Sequence, residues 1–269
     1  MLNYQSTEFK SLEELRVTTP SIFTRIGSVE TSEKYTHIPT DKVISDMELL
    51  GWGVADAQEV KARTEGTIGF QKHLVVFRNP DVVINGSDGD MVFPQILLTN
   101  SHDGKNSFKF TVGLFRMICA NGLVITTETF EDIKVRHMGY DFETLQNTLK
   151  EMISKLPLTV EAMNKMKEIQ LETEQMFDLA KSFLDLRIEG TGNIYDNNAV
   201  VEVLKTQRVE DEGSGLWEVF NRVQENIMEG NFKYLTVKGK MRQARVIKNF
   251  KQDQDLNKKL FSKALEFIS

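Results

Sequence analysis

The stretch ILLTNSHDGKNSFKFTVGLFRMICANGL, Ile96 to Leu123, decides the fold class. Its first residues extend a strand over Phe93–Thr99, and Ser107–Cys119 reads as a second. Between them the segment NSHDGKN is rich in turn formers, with Gly104 free to take positive φ. In the second strand Phe108, Phe110, Val112 and Leu114 share one face, whereas Phe115, Met117 and Cys119 carry the apolar row onward. A bulge near Gly113 would reconcile the two halves, because one extra residue reverses side-chain parity. Asn121-Gly122 then predicts a tight hairpin into a third strand. A three-strand antiparallel meander is the expected frame.

Upstream, IPTDKVISDMELLGWGV predicts a helix with Thr40 as N-cap and Gly51 as its stop. Val43, Ile44, Met47 and Leu50 fall on one face of it. GTIGFQKHLVVFR alternates, with Ile68, Phe70, Leu74 and Val76 on one side and Gln71 and His73 on the other, the pattern of a half-buried strand. Downstream of Tyr140 the character changes. YDFETLQNTLKEMISKL predicts a helix stopped by Pro157, and Leu158–Ile188 a long amphipathic run without Gly or Pro. EGTGN ends that run. Shorter helices follow over Asn198–Gln207, Ser214–Glu229 and Leu256–Ile268. The expectation is an α+β protein: residues 1–140 form an antiparallel β-sheet with helices, and residues 141–269 a mostly helical part.

With 40% apolar and 27% charged residues, the 269-residue chain can bury a sizeable core. Its apolar runs are far shorter than the ~20 residues of a membrane span, and MLNYQSTEFKSLEEL lacks a signal peptide's pattern. One cysteine suits a reducing compartment. A cytoplasmic protein of a bacterial host is expected, without membrane attachment, and association of identical chains is left open.

Catalytic motifs are scarce. GWGVAD and GTGNIY lack the third glycine of a dinucleotide loop. His37, His73, His102, His137 and Cys119 have no metal-ligand spacing, so neither metal nor cofactor is expected. Cys119 lies on the apolar parity of its strand and reads as a buried thiol. Glu59-x-Lys61, with Asp46 and Asp56 upstream, has the residue types of a Mg²⁺-dependent nuclease, and a solvated strand face has them too. Arg116 within its apolar run either faces solvent or pairs with Asp103 or Glu128.

The clearest charge asymmetry is C-terminal. Lys233 to Lys263 holds ten basic residues against Asp253 and Asp255, in a chain of net charge -6. Lys233, Lys238, Lys240, Arg242, Arg245 and Lys248, interleaved with Tyr234 and Phe250, suit phosphate contacts combined with base stacking. A solvated surface, or a complement to the acidic remainder, explains the same composition.

Three segments, ILLTNSHDG, LFRMICANGL and VRHMG, together with SGLWEVFNRVQENI, resemble the phage/plasmid-like family catalogued as domain of unknown function nine-three-two. The resemblance spans much of Tyr35 to Ile227. It marks Asn100, His102, Asp103, Arg116, Cys119, Asn121, Arg136, His137, Trp217, Asn221 and Glu225, without assigning them roles. Where the family continues past the cysteine with Asn-Thr-Leu, this chain has Ala-Asn-Gly-Leu. The resemblance implies a mobile-element origin near DNA replication or recombination. Together these readings favour a non-catalytic accessory protein that binds single-stranded DNA or RNA. The alternatives are a module that binds a host or phage protein, such as an inhibitor of a host defence factor, and a divalent-metal nuclease.

Overall fold

The computed structural model describes residues 9–31, 35–62, 64–82, 84–85, 91–106, 108–116, 122–123 and 141–268. The chain divides into two compact units, Leu2–Leu156 and Pro157–Ser269. The protein is α+β, with an antiparallel sheet in the N-terminal half and helices dominating the remainder.

In the first unit, α1 (Leu12–Thr18) begins at a Ser11–Glu14 capping box and leads through a 3₁₀ turn at Pro20–Phe23. Helix α2 (Thr40–Leu49) follows, then β1 (Gly53–Glu59), β2 (His73–Arg78), β3 (Ile84–Asn85), β4 (Met91–Asn100), β5 (Lys109–Arg116) and β6 (Gly122–Leu123). The strands run antiparallel in the order β1-β2-β4-β5-β6, with β3 also on β4. Cross-strand rows Ala57–Val75–Leu98–Phe110 and Val54–Phe77–Ile96 form the face covered by helices. Against it pack Leu15, Ile22, Val43, Ile44 and Met47, with Leu145, Leu149 and Met152 from α3 (Phe142–Glu168). Those three lie on one helical face. All six residues of β2 are buried, so this is no half-buried strand: both of its faces are covered. Residues 65–70 are a 3₁₀ turn and its continuation rather than strand.

The expected bulge at Gly113 is absent. The β4–β5 register runs unbroken from Thr99↔Lys109 through Gln95↔Gly113 to Val92↔Arg116. The glycine has a packing reason instead. A Cβ there would stand 2.8 Å from Leu97 Cδ1 and 3.1 Å from Gln95, which lie across it. The ladder is irregular in β1, between Val54 and Asp56. The meander itself is present, but Gly122 pairs with Phe115 and Leu123 with Leu114. A two-residue turn at Asn121-Gly122 would have paired Ala120 with Leu123, so Gly122 belongs to the strand. Residues 117–121, Cys119 among them, lie outside the described residues.

The second unit is built round α6 (Leu216–Glu229), in which every residue from Leu216 to Met228 except Glu218 is buried. Helix α4 (Thr173–Ile188) contributes Leu179, Ala180, Phe183 and Leu184, and α5 (Asn197–Leu204) contributes Ala199, Val200 and Val203. Helix α7 (Phe250–Leu265) adds Leu256, Leu260 and Phe261. Phe220 meets Phe183 and Phe261 edge-on and stacks with Trp217. At Gly230 (φ 76°) a Cβ would come within 2.8 Å of the Ala244 carbonyl, so the turn that ends α6 accepts only glycine. There the chain enters β7 (Lys233–Leu235) and β8 (Met241–Gln243), a two-stranded hairpin.

Two helix boundaries depart from expectation. Helix α3 continues through Pro157 to Glu168, with apolar burial on both sides of the proline, at Leu149 and Met152 before it and Met163 and Met166 after it. The run from Leu158 is broken instead at Ile169–Glu172. There the backbone pairs with the segment before α6: Leu171 N donates to Ser214 O (2.8 Å) and Leu216 N to Ile169 O (2.8 Å). Glu172 and Gln175 then cap α4 reciprocally.

Candidate functional site

Two clusters hold the residues singled out by sequence, one in each unit. In the first unit, Asn100 ends β4 and is fully buried. Its Nδ2 donates to Ile38 O (3.2 Å) and Thr40 Oγ1 (3.0 Å), and its Oδ1 accepts from Ser101 N (2.8 Å). Thr40 is therefore the first residue of α2 rather than its cap; Pro39 takes the cap position, and the threonine hydroxyl is committed to the interior. That hydroxyl lies 2.8 Å from His73 Nε2. On the other side of the ring, His73 Nδ1 sits 3.2 Å from Gln71 O and 3.1 Å from Ser21 Oγ.

The partners assign the tautomer. A backbone carbonyl can only accept, so Nδ1 carries the proton and donates to Gln71 O. Nε2 then accepts from Thr40, whose own oxygen accepts from Asn100. The network is complete only for a neutral imidazole. Burial acts in the same direction, pushing the His73 pKa down to about 4. His102 is also fully buried, its ring 4.6 Å from that of His37 and 5.2 Å from that of His73. Its backbone joins two loops, N–H donating to Phe70 O (3.1 Å) and C=O accepting from Ser28 N (2.8 Å). His37 Nε2 donates to Thr24 O (3.1 Å), and partial burial lowers its pKa too.

Asp103 stays at the surface of this cluster and shapes the turn, accepting from Ser101 Oγ (2.7 Å) and Lys105 N (3.0 Å). Three histidines widely separated in sequence thus stand together, a grouping that spacing alone could not reveal. Among the described residues, no three His, Cys, Asp or Glu side chains are placed to hold a metal ion. The carboxylates of the nuclease pattern are employed separately. Glu59 accepts from Ser21 N (2.9 Å) and Gln71 Nε2 (3.0 Å), Asp46 pairs with Lys42 (2.6 Å), and Asp56 pairs with Lys10 (3.5 Å). Cys119, Asn121, Glu128, Arg136 and His137 lie outside the described residues, as does the Arg116 side chain.

Trp217, Asn221 and Glu225 are buried along α6 in the second unit. Asn221 Nδ2 donates to Trp217 O (2.6 Å), and Glu225 receives Arg208 through two contacts of 2.7 and 3.1 Å. They brace α6 from inside.

The basic segment is different in kind. Lys233, Lys238, Lys240, Arg242, Arg245 and Lys248 are all exposed on or just after the β7–β8 hairpin. None of the six has a carboxylate partner among the described residues, whereas Lys259 and Lys263 do, with Glu189 (2.7 Å) and Glu266 (2.5 Å). Tyr234 is half-buried opposite Arg242. Phe250 opens α7, and its side chain is outside the described set. Arg187, at the end of α4, is a residue that sequence reasoning missed. It reaches this region, donating to Ile227 O (3.4 Å) and Arg245 O (2.8 Å).

The family model described as domain of unknown function (DUF932) matches residues 28–261. The chain belongs to this family. It is 29% identical over 249 residues to two Escherichia coli K12 proteins, UPF0380 protein YafZ and UPF0380 protein YfjQ, covering 93% of this chain and 88% of each relative. No solved structure matches. No helix among the described residues is long and apolar enough to cross a membrane.

Proposed function

We propose that this DUF932 protein is a phage- or plasmid-derived accessory protein that binds single-stranded nucleic acid through its basic hairpin, without catalysing a reaction on it. The observation that carries this reading is the set of exposed cations at Lys233, Lys238, Lys240, Arg242, Arg245 and Lys248, with no carboxylate partner among the described residues. Exposed cations without an ion-pair partner among the described residues keep their charge available to a polyanion, in a chain of net charge -6. Tyr234 beside them supplies a ring for base stacking.

The test is retention of the full chain on an immobilised oligothymidylate at low salt. Binding should weaken as salt rises, with a log–log slope of about -0.7 per phosphate neutralised. No retention at low salt refutes the proposal. The second reading, a module that docks an acidic protein partner, is supported by the same cations and predicts retention on an acidic polypeptide instead.

A further inference from the structure

The β7–β8 hairpin leaves one strand edge without a partner. In an antiparallel pair, opposite residues alternate between those whose backbone groups bond each other and those whose backbone groups turn outward. Ala244 N donates to Phe232 O (2.9 Å) and Thr236 N to Lys240 O (2.9 Å), so the inward-bonding pairs are Phe232–Ala244, Tyr234–Arg242 and Thr236–Lys240. Lys233–Gln243 and Leu235–Met241 fall between them, and their backbone N–H and C=O groups turn outward.

On β7 those outward groups are engaged. Leu235 N donates to Ile194 O (2.7 Å), Ile194 N to Leu235 O (3.0 Å), and Lys233 N to Glu202 Oε2 (3.1 Å). On β8 the backbone groups of Met241 and Gln243 have no such partner among the described residues. The Gln243 side chain is tied back to Gly230 O (2.5 Å) and Phe232 O (3.0 Å). Met241, Arg242 and Gln243 are all exposed. An exposed row of unpaired backbone groups is a template for a further strand.

Charge decides which strand fits. The register that would join Met241 of one β8 to Gln243 of a second copy sets Arg242 opposite Arg242, and like charges directly opposite are destabilising. An acidic residue opposite Arg242 is favoured for the same reason, with Lys240 and Arg245 exposed nearby and without carboxylate partners among the described residues. Side chains alternate along the strand, so Met241 lies on the other side from Arg242. Met241 is 54% exposed and lines a hollow with Val201, itself 46% exposed. The carboxylates of that hollow, Asp196 and Glu202, are balanced by Lys205 and Lys233. This side suits an apolar residue.

We infer that β8 is a docking edge for an extended acidic segment of a partner protein. The segment adds as a further strand, bonds through its backbone to Met241 and Gln243, and alternates acidic residues opposite Arg242 with apolar ones beside Met241. This edge gives the acidic-partner reading, on which it rests, a strand and a sequence pattern. The nucleic-acid reading is separate, because a polynucleotide offers no matching row of amides.

The probe is a labelled, end-blocked peptide of alternating valine and glutamate, titrated with the full chain and followed by fluorescence anisotropy. Only every second amide of a strand faces its neighbour, so N-methylation at the valines and N-methylation at the glutamates must differ. One set should weaken binding by roughly ten- to thirtyfold, and the other should leave it within about twofold. Met241→Pro removes one outward N–H and leaves the inward bonds of the hairpin in place, as proline does on an edge strand. It should weaken the unmodified peptide by roughly tenfold, with circular dichroism as the folding control. Equal affinity of the two methylated peptides would overturn strand addition and leave charge attraction to an acidic chain. No binding of the unmodified peptide at low salt would overturn the docking edge outright. Oligothymidylate retention needs cations but no free amide, so it should survive Met241→Pro. Failure of the parent chain to retain oligothymidylate would end the nucleic-acid reading alone, since the peptide is read independently.

Discussion

The histidine cluster of the first unit and the basic hairpin of the second are built on opposite principles. Around His73 the ring nitrogens, the Thr40 hydroxyl and the Asn100 amide are buried and matched to one another or to backbone groups, and the ring is held neutral. On the hairpin the charges are exposed and unmatched by carboxylates among the described residues. The difference teaches where to look for a role. Several residues that mark the resemblance, Asn100, His102, Trp217, Asn221 and Glu225, are interior and hold loops and helices together. The surface proposed to meet a polyanion lies elsewhere. A matched interior network loses stability when altered, and an exposed charged surface loses binding.

The largest expected effect breaks the interior side of that comparison. Asn100→Ala removes the partner of Ile38 O, Thr40 Oγ1 and Ser101 N together. Each buried group left unsatisfied costs about 1–3 kcal/mol, so the loss should reach about 3 kcal/mol or more in urea denaturation. A loss below about 1 kcal/mol would mean that the network is not what secures these loops.

Acid should act on the same cluster with nearly the same magnitude. The His73 pKa is about 4 when folded, against an ordinary value near 6.5, so the folded state favours the neutral ring. That contribution is complete above about pH 6.5 and is lost as pH falls toward about 4, where the unfolded chain takes up the proton more readily. The difference amounts to roughly 3 kcal/mol, and the lowered pKa of His37 adds in the same direction. Denaturation midpoints measured through that range should fall with pH, and His73→Gln should flatten the fall. A fall just as steep in the variant would place the acid sensitivity elsewhere.

A smaller effect sharpens the account of the sheet. Gly113→Ala introduces a Cβ 2.8 Å from Leu97 Cδ1, and such overpacking costs about 1–3 kcal/mol. Leu97→Val should recover part of the loss if contact between these two side chains is the cause. Absence of recovery would point to Gln95, the other neighbour at that position.

The smallest stability effect belongs to the hairpin. Lys240, Arg242 and Arg245 reversed together to Glu should shift unfolding by no more than about 0.5 kcal/mol, because exposed positions carry little of the fold. The same variant should lose retention on single strands. A large drop in melting temperature would show these cations to be structural and would erase the contrast between the two regions.

Much of the local architecture was legible. Turn formers at Asn100–Asn106 and alternation on either side gave the β4–β5 pair, and Gly51 and Gly230 end helices where their positive φ is needed. The reading failed where the deciding partner is distant in sequence. Parity suggested a bulge at Gly113, but the glycine answers to Leu97 and Gln95 on the neighbouring strand. An uninterrupted apolar period suggested one helix from Leu158 to Ile188, but residues 169–171 pair with residues 214–216. His73 counted as the polar side of a strand until helix and loop residues from Ser21 to Thr40 closed over it.

By itself the sequence determined the α+β class, the meander and the placement of positive charge, because strand alternation, turn chemistry and composition act over a few neighbouring residues. Tertiary structure alone decided which histidines meet and which tautomer His73 adopts. Those outcomes depend on contacts between residues tens of positions apart. Their geometry is set by strand register and helix packing, and neither is written in any local run of residues.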